Sequence, residues 1–144
     1  MDNKNIILKV RGVIIHDSKL LIVKHIGTDF MALPGGHLKF REDIISCLKR
    51  ELIDELGVIP EIGRLLYINT FMEKSNEYIE FFFEVKNGKD YLNIDGLERT
   101  HARELTEILW VHPSNDIEIL PKKFNVDFKN NKIFNGEIKF INEL

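Results

Sequence analysis

The chain has 144 residues, about the size of one domain, with 20 Lys and Arg against 23 Asp and Glu and a net charge of −3. Hydrophobic residues at 44% and charged residues at 30% give the balance of a globular domain with a core, which argues against intrinsic disorder and a coiled coil. No apolar run is long enough for a membrane span, the opening MDNKNIILKVRG lacks the pattern of a secretory leader, and Cys47 stands alone, so no internal disulfide forms.

In chain order, Ile6 to Ile15 is rich in β-branched residues and reads as a strand. A turn over His16 to Lys19 leads into a second strand, Leu20 to Lys24, which gives a hairpin. Phe30 to Leu33 reads as a short extended piece ended by a Pro34-Gly35-Gly36 loop. The clearest helix is Asp43 to Leu56, where Ile44, Ile45, Leu48, Leu52 and Leu56 recur at helical spacing. Gly57 sits where a left-handed C-cap belongs, and Pro60 prevents continuation. Two strands follow, Leu65 to Phe71 and Tyr78 to Val85, then a tight turn at Asn87-Gly88 and a strand from Ile108 to Val111. The last segment reads as a short helix near Pro121 to Phe128 and an extended tail. The expectation is one α+β domain over residues 1–144, a mixed sheet packed on helices, in a cytoplasmic protein. A slightly acidic chain has no bulk attraction for nucleic acid or membrane, so neither is an expected partner.

Chemistry concentrates between Gly36 and Val58. With Glu51 at zero on a helical wheel, Asp54 lies at about −60° and Glu55 at about +40°, so three carboxylates share one face beside the buried stripe. Like charges this close repel, and neither Lys49 nor Arg50 is placed to neutralise all three. A divalent cation with a taste for oxygen would do so. Glu42 joins this group only if the chain before the helix loops back, which Gly35 and Gly36 make feasible.

The stretch GHLKFREDIISCLKRELIDELGV resembles the signature of the Nudix (MutT-like) hydrolases: Gly36, Glu42, Arg50, Glu51, Leu52, Glu55, Gly57 and Val58 all fall in place. Leu33-Pro34-Gly35-Gly36 resembles the family's usual lead-in, and Asp54 departs from its usual glutamate. The resemblance implies an α/β/α sandwich and cleavage of a phosphoanhydride in a nucleoside diphosphate linked to another group, with Mg²⁺ or Mn²⁺ as cofactor. It implies Glu51 as metal ligand and base, Asp54 and Glu55 as metal ligands, Arg50 as the holder of Glu51, and Glu42 as a helper through the loop. Gly36 and Gly57 would shape the ends of the motif. Asp54 is one methylene shorter than glutamate, which leaves direct and water-mediated metal contact both open. A homodimer is open too, since many relatives dimerise.

Outside the motif the signals are weaker. Glu98 stands where some relatives bring a further carboxylate to the metals, and a solvated loop glutamate is the plainer reading. Glu80 and Glu84 are expected to face solvent. His37, Arg11 and Lys24 could meet phosphate, although solvated positions are more ordinary, and Phe30 could stack on a base. Trp110 reads as core, and Cys47 as a small buried residue. The substrate class is open among nucleoside triphosphates, ADP-ribose, nucleotide sugars and dinucleoside polyphosphates. A competing function is a nucleotide-binding sensor without catalysis, which the retained Glu51 and Glu55 argue against. An isopentenyl diphosphate isomerase shares the fold, but its additional cysteine and glutamate signatures are not apparent.

Overall fold

The structure, a computed structural model, describes residues 4–94 and 105–144. Its elements are β1 (Asn5–His16), β2 (Lys19–His25), β3 (Gly35–His37), α1 (Ile44–Leu56), β4 (Ile62–Glu73), β5 (Asn76–Val85), a 3₁₀ turn (Gly88–Tyr91), β6 (Leu105–Val111), α2 (Lys122–Lys129) and β7 (Lys139–Glu143). Among the described residues, seven strands make one mixed sheet in the order β6-β2-β1-β5-β4-β7, with β3 attached to β1. β1 runs parallel to β5, and β4 parallel to β7; the remaining pairs are antiparallel.

Alternation along β1 explains why the sheet has two cores. Val10 and Ile14 point to one face, where Leu48, Leu52 and Leu56 of α1 cover them together with Leu21 and Val23 of β2. Val13 points to the other, where Phe124 and Phe128 of α2 meet Leu20, Ile22, Tyr67 and Phe82. Each fully buried leucine of α1 contributes about 2 kcal/mol by removal from water. The second face has a polar anchor as well. Tyr67 donates a hydrogen bond to Asp127 Oδ2 at 2.7 Å, and Lys139 Nζ stands 3.6 Å from the same oxygen, which ties α2 to β4 and β7. The mixed sheet between helices is the α+β architecture expected of the sequence.

Several local expectations need correction. Phe30 to Leu33 makes only isolated bridges, Ala32 to Val23 and Met31 to Ile119. The strand is instead Gly35–His37, where a loop was expected, because it runs antiparallel to Lys9, Val10 and Arg11. Gly35 lies at φ +146, and a Cβ there would stand 1.9 Å from the Val10 carbonyl oxygen, so this close approach needs glycine. Asn87-Gly88 opens a 3₁₀ turn rather than a hairpin turn. Ile45, counted in the apolar stripe of α1, is 40% exposed.

Candidate functional site

The caps of α1 set which side chains face the sheet. Asp43 accepts from Ser46 N at 2.8 Å at one end, and Gly57, at φ 79, donates its N–H to Ile53 O at the other. With both ends fixed, Glu55 falls on the core side, buried at 1% exposure, while Glu51 and Asp54 sit half-buried at its margin.

Arg50 organises the acidic residues. Its Nε donates to Glu42 Oε2 at 2.7 Å and its Nη2 to Glu42 Oε1 at 3.0 Å, a bidentate pair. Its Nη1 donates to Glu51 Oε1 at 2.8 Å. Glu42 is therefore brought to the group by the loop, as the spacing required, and it also accepts from Lys39 N at 3.1 Å. The Arg50 bond holds the Glu42 carboxyl down to about 2, against partial burial that pushes the other way. The same bond pushes Arg50 further above its already high value. Cys47 is fully buried behind this group, and burial pushes its thiol up to about 12, with Glu42 adding to the effect.

Gly36 supplies the opposing wall. A Cβ at this position would lie 2.5 Å from Glu51 Cδ and 2.7 Å from each carboxylate oxygen, so the Glu51 carboxylate rests against bare backbone. Glu55 is engaged from the other side. Its Oε1 is 3.2 Å from His25 Nε2, and the Gly35 N–H points at both oxygens at 3.3 and 3.4 Å.

The donor set suits a hard divalent cation. Glu51, Asp54 and Glu55 offer carboxylate oxygens from one helix, and Mg²⁺ keeps several waters and needs few carboxylates. Among the described residues no three His, Cys, Asp or Glu side chains converge into a preformed cage. Glu98 lies outside the described residues.

On the α2 side of the sheet, a cavity of about 280 Å³ opens between β1, β4 and β5. Lys9, Arg11, Phe30, Phe71, Asn69 and Glu80 are among its lining residues. Four expectations of solvated strand residues fail. Glu80 is buried at 6% exposure, and Arg11 at 9%, because the two form an ion pair at 2.9 Å. Glu84 is half-buried rather than solvent-facing, and Lys24 is half-buried too. Phe30 reaches the cavity while remaining 44% exposed. His37 is exposed as a residue, while partial burial of its ring, with Lys9 and Arg11 nearby, disfavours its charged form. Trp110 packs half-buried against the core on the α1 side. Sequence reasoning missed His25, Asn69 and the pairing role of Glu80; the alternation of β5 put Glu80 and Phe82 on one face, and that signal was available.

The chain matches the NUDIX domain description over residues 8–131. It is 37% identical over 60 residues to the ADP-ribose pyrophosphatase of Methanocaldococcus jannaschii, across 40% of this chain and 36% of that protein. It is 41% identical over 58 residues to the 8-oxo-dGTP diphosphatase of Buchnera aphidicola subsp. Acyrthosiphon pisum, across 40% of this chain and 39% of that protein. Both matches span well under half of the relative's length. The structure of the MutT protein from Methanosarcina mazei Go1 superposes with a TM-score of 0.70 at 20% identity, covering 95% of this chain and all of that one, a likeness of fold. The matched residues run from β1 through α1 to α2 and so take in the sheet except β7, together with the loop and the acidic helix, which makes this chain a member of the NUDIX domain family.

Proposed function

We propose that this chain is a metal-dependent hydrolase, cleaving a phosphoanhydride in a nucleoside diphosphate linked to another group, with Mg²⁺ or Mn²⁺ as its cofactor. The observation that carries the reading is the Arg50 fork, which holds Glu42 and Glu51 in one geometry against the bare backbone of Gly36. A guanidinium committed to two carboxylates, in the middle of a carboxylate-bearing helix, is an unusual arrangement for a mere surface. The matched relatives bear the names pyrophosphatase and diphosphatase. We also take residues 1–144 as one domain, since one sheet carries both cores.

The roles follow from position. Glu51, Asp54 and Glu55 would hold the metal, which when bound neutralises phosphate charge and lowers the pKa of water. The Glu51 carboxylate takes the proton of the attacking water, and Arg50 fixes the direction from which it does so. Glu42 holds Arg50 in turn. His25 and the Gly35 N–H keep Glu55 from rotating away. The cavity takes the organic end of the substrate. Lys9 and Arg11, its lining cations, face the α2 side of β1, whereas Val10 between them pairs with Gly36 and so with Glu51.

The test is a hydrolysis panel with Mg²⁺, run beside Glu51→Gln. It holds the eight common nucleoside triphosphates, an oxidised guanine nucleotide, ADP-ribose, nucleotide sugars and a dinucleoside polyphosphate. Cleavage of one class, reduced about 10²–10⁴-fold in the variant as for loss of a general base, supports the reading. Nucleotide binding with no cleavage anywhere in the panel would make the chain a sensor instead.

A further inference from the structure

We propose that Asn69 selects the organic end of the substrate by accepting a hydrogen bond from an N–H of the nucleobase. This rests on the reading of the chain as a nucleotide hydrolase and adds to it a residue that determines specificity. Asn69 sits in the middle of β4, in register with Glu80 of β5 and Ile141 of β7, and is 1% exposed. Its Nδ2 donates to Glu80 Oε1 at 3.1 Å. Glu80 accepts at Oε2 from Arg11 Nε at 2.9 Å, and Arg11 Nη1 donates to the Leu33 carbonyl at 3.2 Å.

This chain of bonds decides the orientation of the amide. A carboxylate paired with arginine has nothing to donate, so the nitrogen of Asn69 must face Glu80. The oxygen is then left at the other end, and Asn69 Oδ1 is buried without a hydrogen-bond partner. Buried acceptors are satisfied in the great majority of cases, and leaving one unsatisfied is unfavourable. Among the described residues one other side-chain atom shares this condition, Oδ1 of Asn125, which does not line the cavity. Asn69 does line it, together with Arg11 and Glu80.

The surroundings suit a flat heterocycle. Phe30, Phe71 and Phe82 present aromatic surface to the same space. Phe71 is itself held flat against Tyr78, with ring centroids 4.8 Å apart and planes 7° apart. The cavity therefore combines apolar faces for the ring with a lining amide whose oxygen has no partner. A ligand that brings an N–H to Asn69 satisfies the acceptor; an analogue with the N–H deleted leaves it orphaned, which is the situation in which a polar site discriminates strongly.

The experiment is calorimetric binding of nucleoside 5′-monophosphates to the full chain, in pairs that differ by one N–H group. The pairs are GMP and IMP, AMP and purine riboside monophosphate, CMP and zebularine monophosphate, and UMP and N3-methyl-UMP. We expect one pair to differ by about tenfold or more in the native chain. In Asn69→Val that difference should fall below about twofold while the ring itself still binds. A difference retained in Asn69→Val overturns the inference, and so does a native chain that treats the members of every pair alike. Asn69→Ala serves if the valine variant does not fold, and the comparison within the native chain needs no variant. Cleavage of a panel nucleotide without any such difference overturns the role of Asn69 alone. A chain that neither binds nor cleaves any of these nucleotides overturns the hydrolase reading and this one with it.

Discussion

Replacing Gly36 with alanine adds one methyl group where β3 faces α1. The new Cβ would stand 2.5 Å from Glu51 Cδ and 2.7 Å from both carboxylate oxygens. Non-bonded heavy atoms rest at about 3.5–4.0 Å, so the carboxylate must retreat by about 1 Å. That retreat is open to it, because the obstructing atoms are the far end of a flexible side chain and Gly36 has no positive φ to strain. The cost therefore falls on the placement of Glu51 and on its 2.8 Å bond from Arg50, and the sheet is spared. A 1 Å misplacement of a reacting group costs about 10² in rate. At about 1.36 kcal/mol per tenfold, this is about 2.7 kcal/mol of lost transition-state stabilisation. The assay is kcat at saturating Mg²⁺ with the nucleotide that the panel identifies, beside a thermal melt. Gly36→Ala should lose about 100-fold in kcat with a nearly native melting midpoint. Gly35→Ala is the contrast: its Cβ meets backbone at 1.9 Å, so the fold itself should suffer. Native turnover in Gly36→Ala would refute both the placement of Glu51 and its role.

Three further outcomes are expected. Arg50→Lys keeps the charge but loses the fork to Glu42 and Glu51, and each charge-assisted bond is worth about 1.5–3 kcal/mol, so kcat/KM should fall at least tenfold. His25→Ala releases Glu55 on one side and should raise the Mg²⁺ concentration for half-maximal activity about 10–100-fold, with kcat at saturating metal less affected. Asp127→Asn tests the anchor of α2. Burial raises the Asp127 carboxyl, but the Tyr67 hydroxyl, Lys139 and Lys123 outweigh it, so its folded value lies below the ordinary one. Its contribution is then complete above about pH 4 and is lost as the pH falls through the lowered folded value. Urea midpoints should show the variant less stable at pH 7, with the gap closing toward pH 2; a gap of constant size would rule out the ionised carboxylate as its source.

The acidic helix was legible because its signals are local. Helical spacing of Leu48, Leu52 and Leu56 and a glycine after them place Glu51, Asp54 and Glu55 on one flank without any knowledge of the sheet. Glu42 was legible only as a condition on the loop, which the Arg50 fork fulfils. The cavity was not legible, since its polar members come from β1, β4, β5 and β7, and β1 and β7 reach the β4–β5 hairpin only through pairing across long separations. Arg11 and Glu80 read as solvated because a charge on a strand ordinarily is; each is buried only because the other is there. His25 gave no sign for the same reason, its partner lying 30 positions away. The glycines were read as a loop because composition does not say that β1 will supply a neighbour for them.

The parallel pairing of β1 with β5 has a consequence for how the molecule assembles. It runs through ten successive residue pairs from Asn5 and Asn76 to Ile14 and Val85, and the Arg11–Glu80 ion pair within it joins positions 69 apart. The β4–β5 hairpin needs only Lys74 and Ser75 to close, and α1 needs only its own turns, so both can form early. β1 must find β5 by closing a loop of the whole intervening chain, which is the slow kind of contact. Since β1 also carries β3, and β3 carries the wall against which Glu51 rests, the acidic residues need the β1–β3 pairing as well as their own helix to reach their working geometry. A nascent or partly unfolded chain can thus own a complete acidic helix and still lack the site.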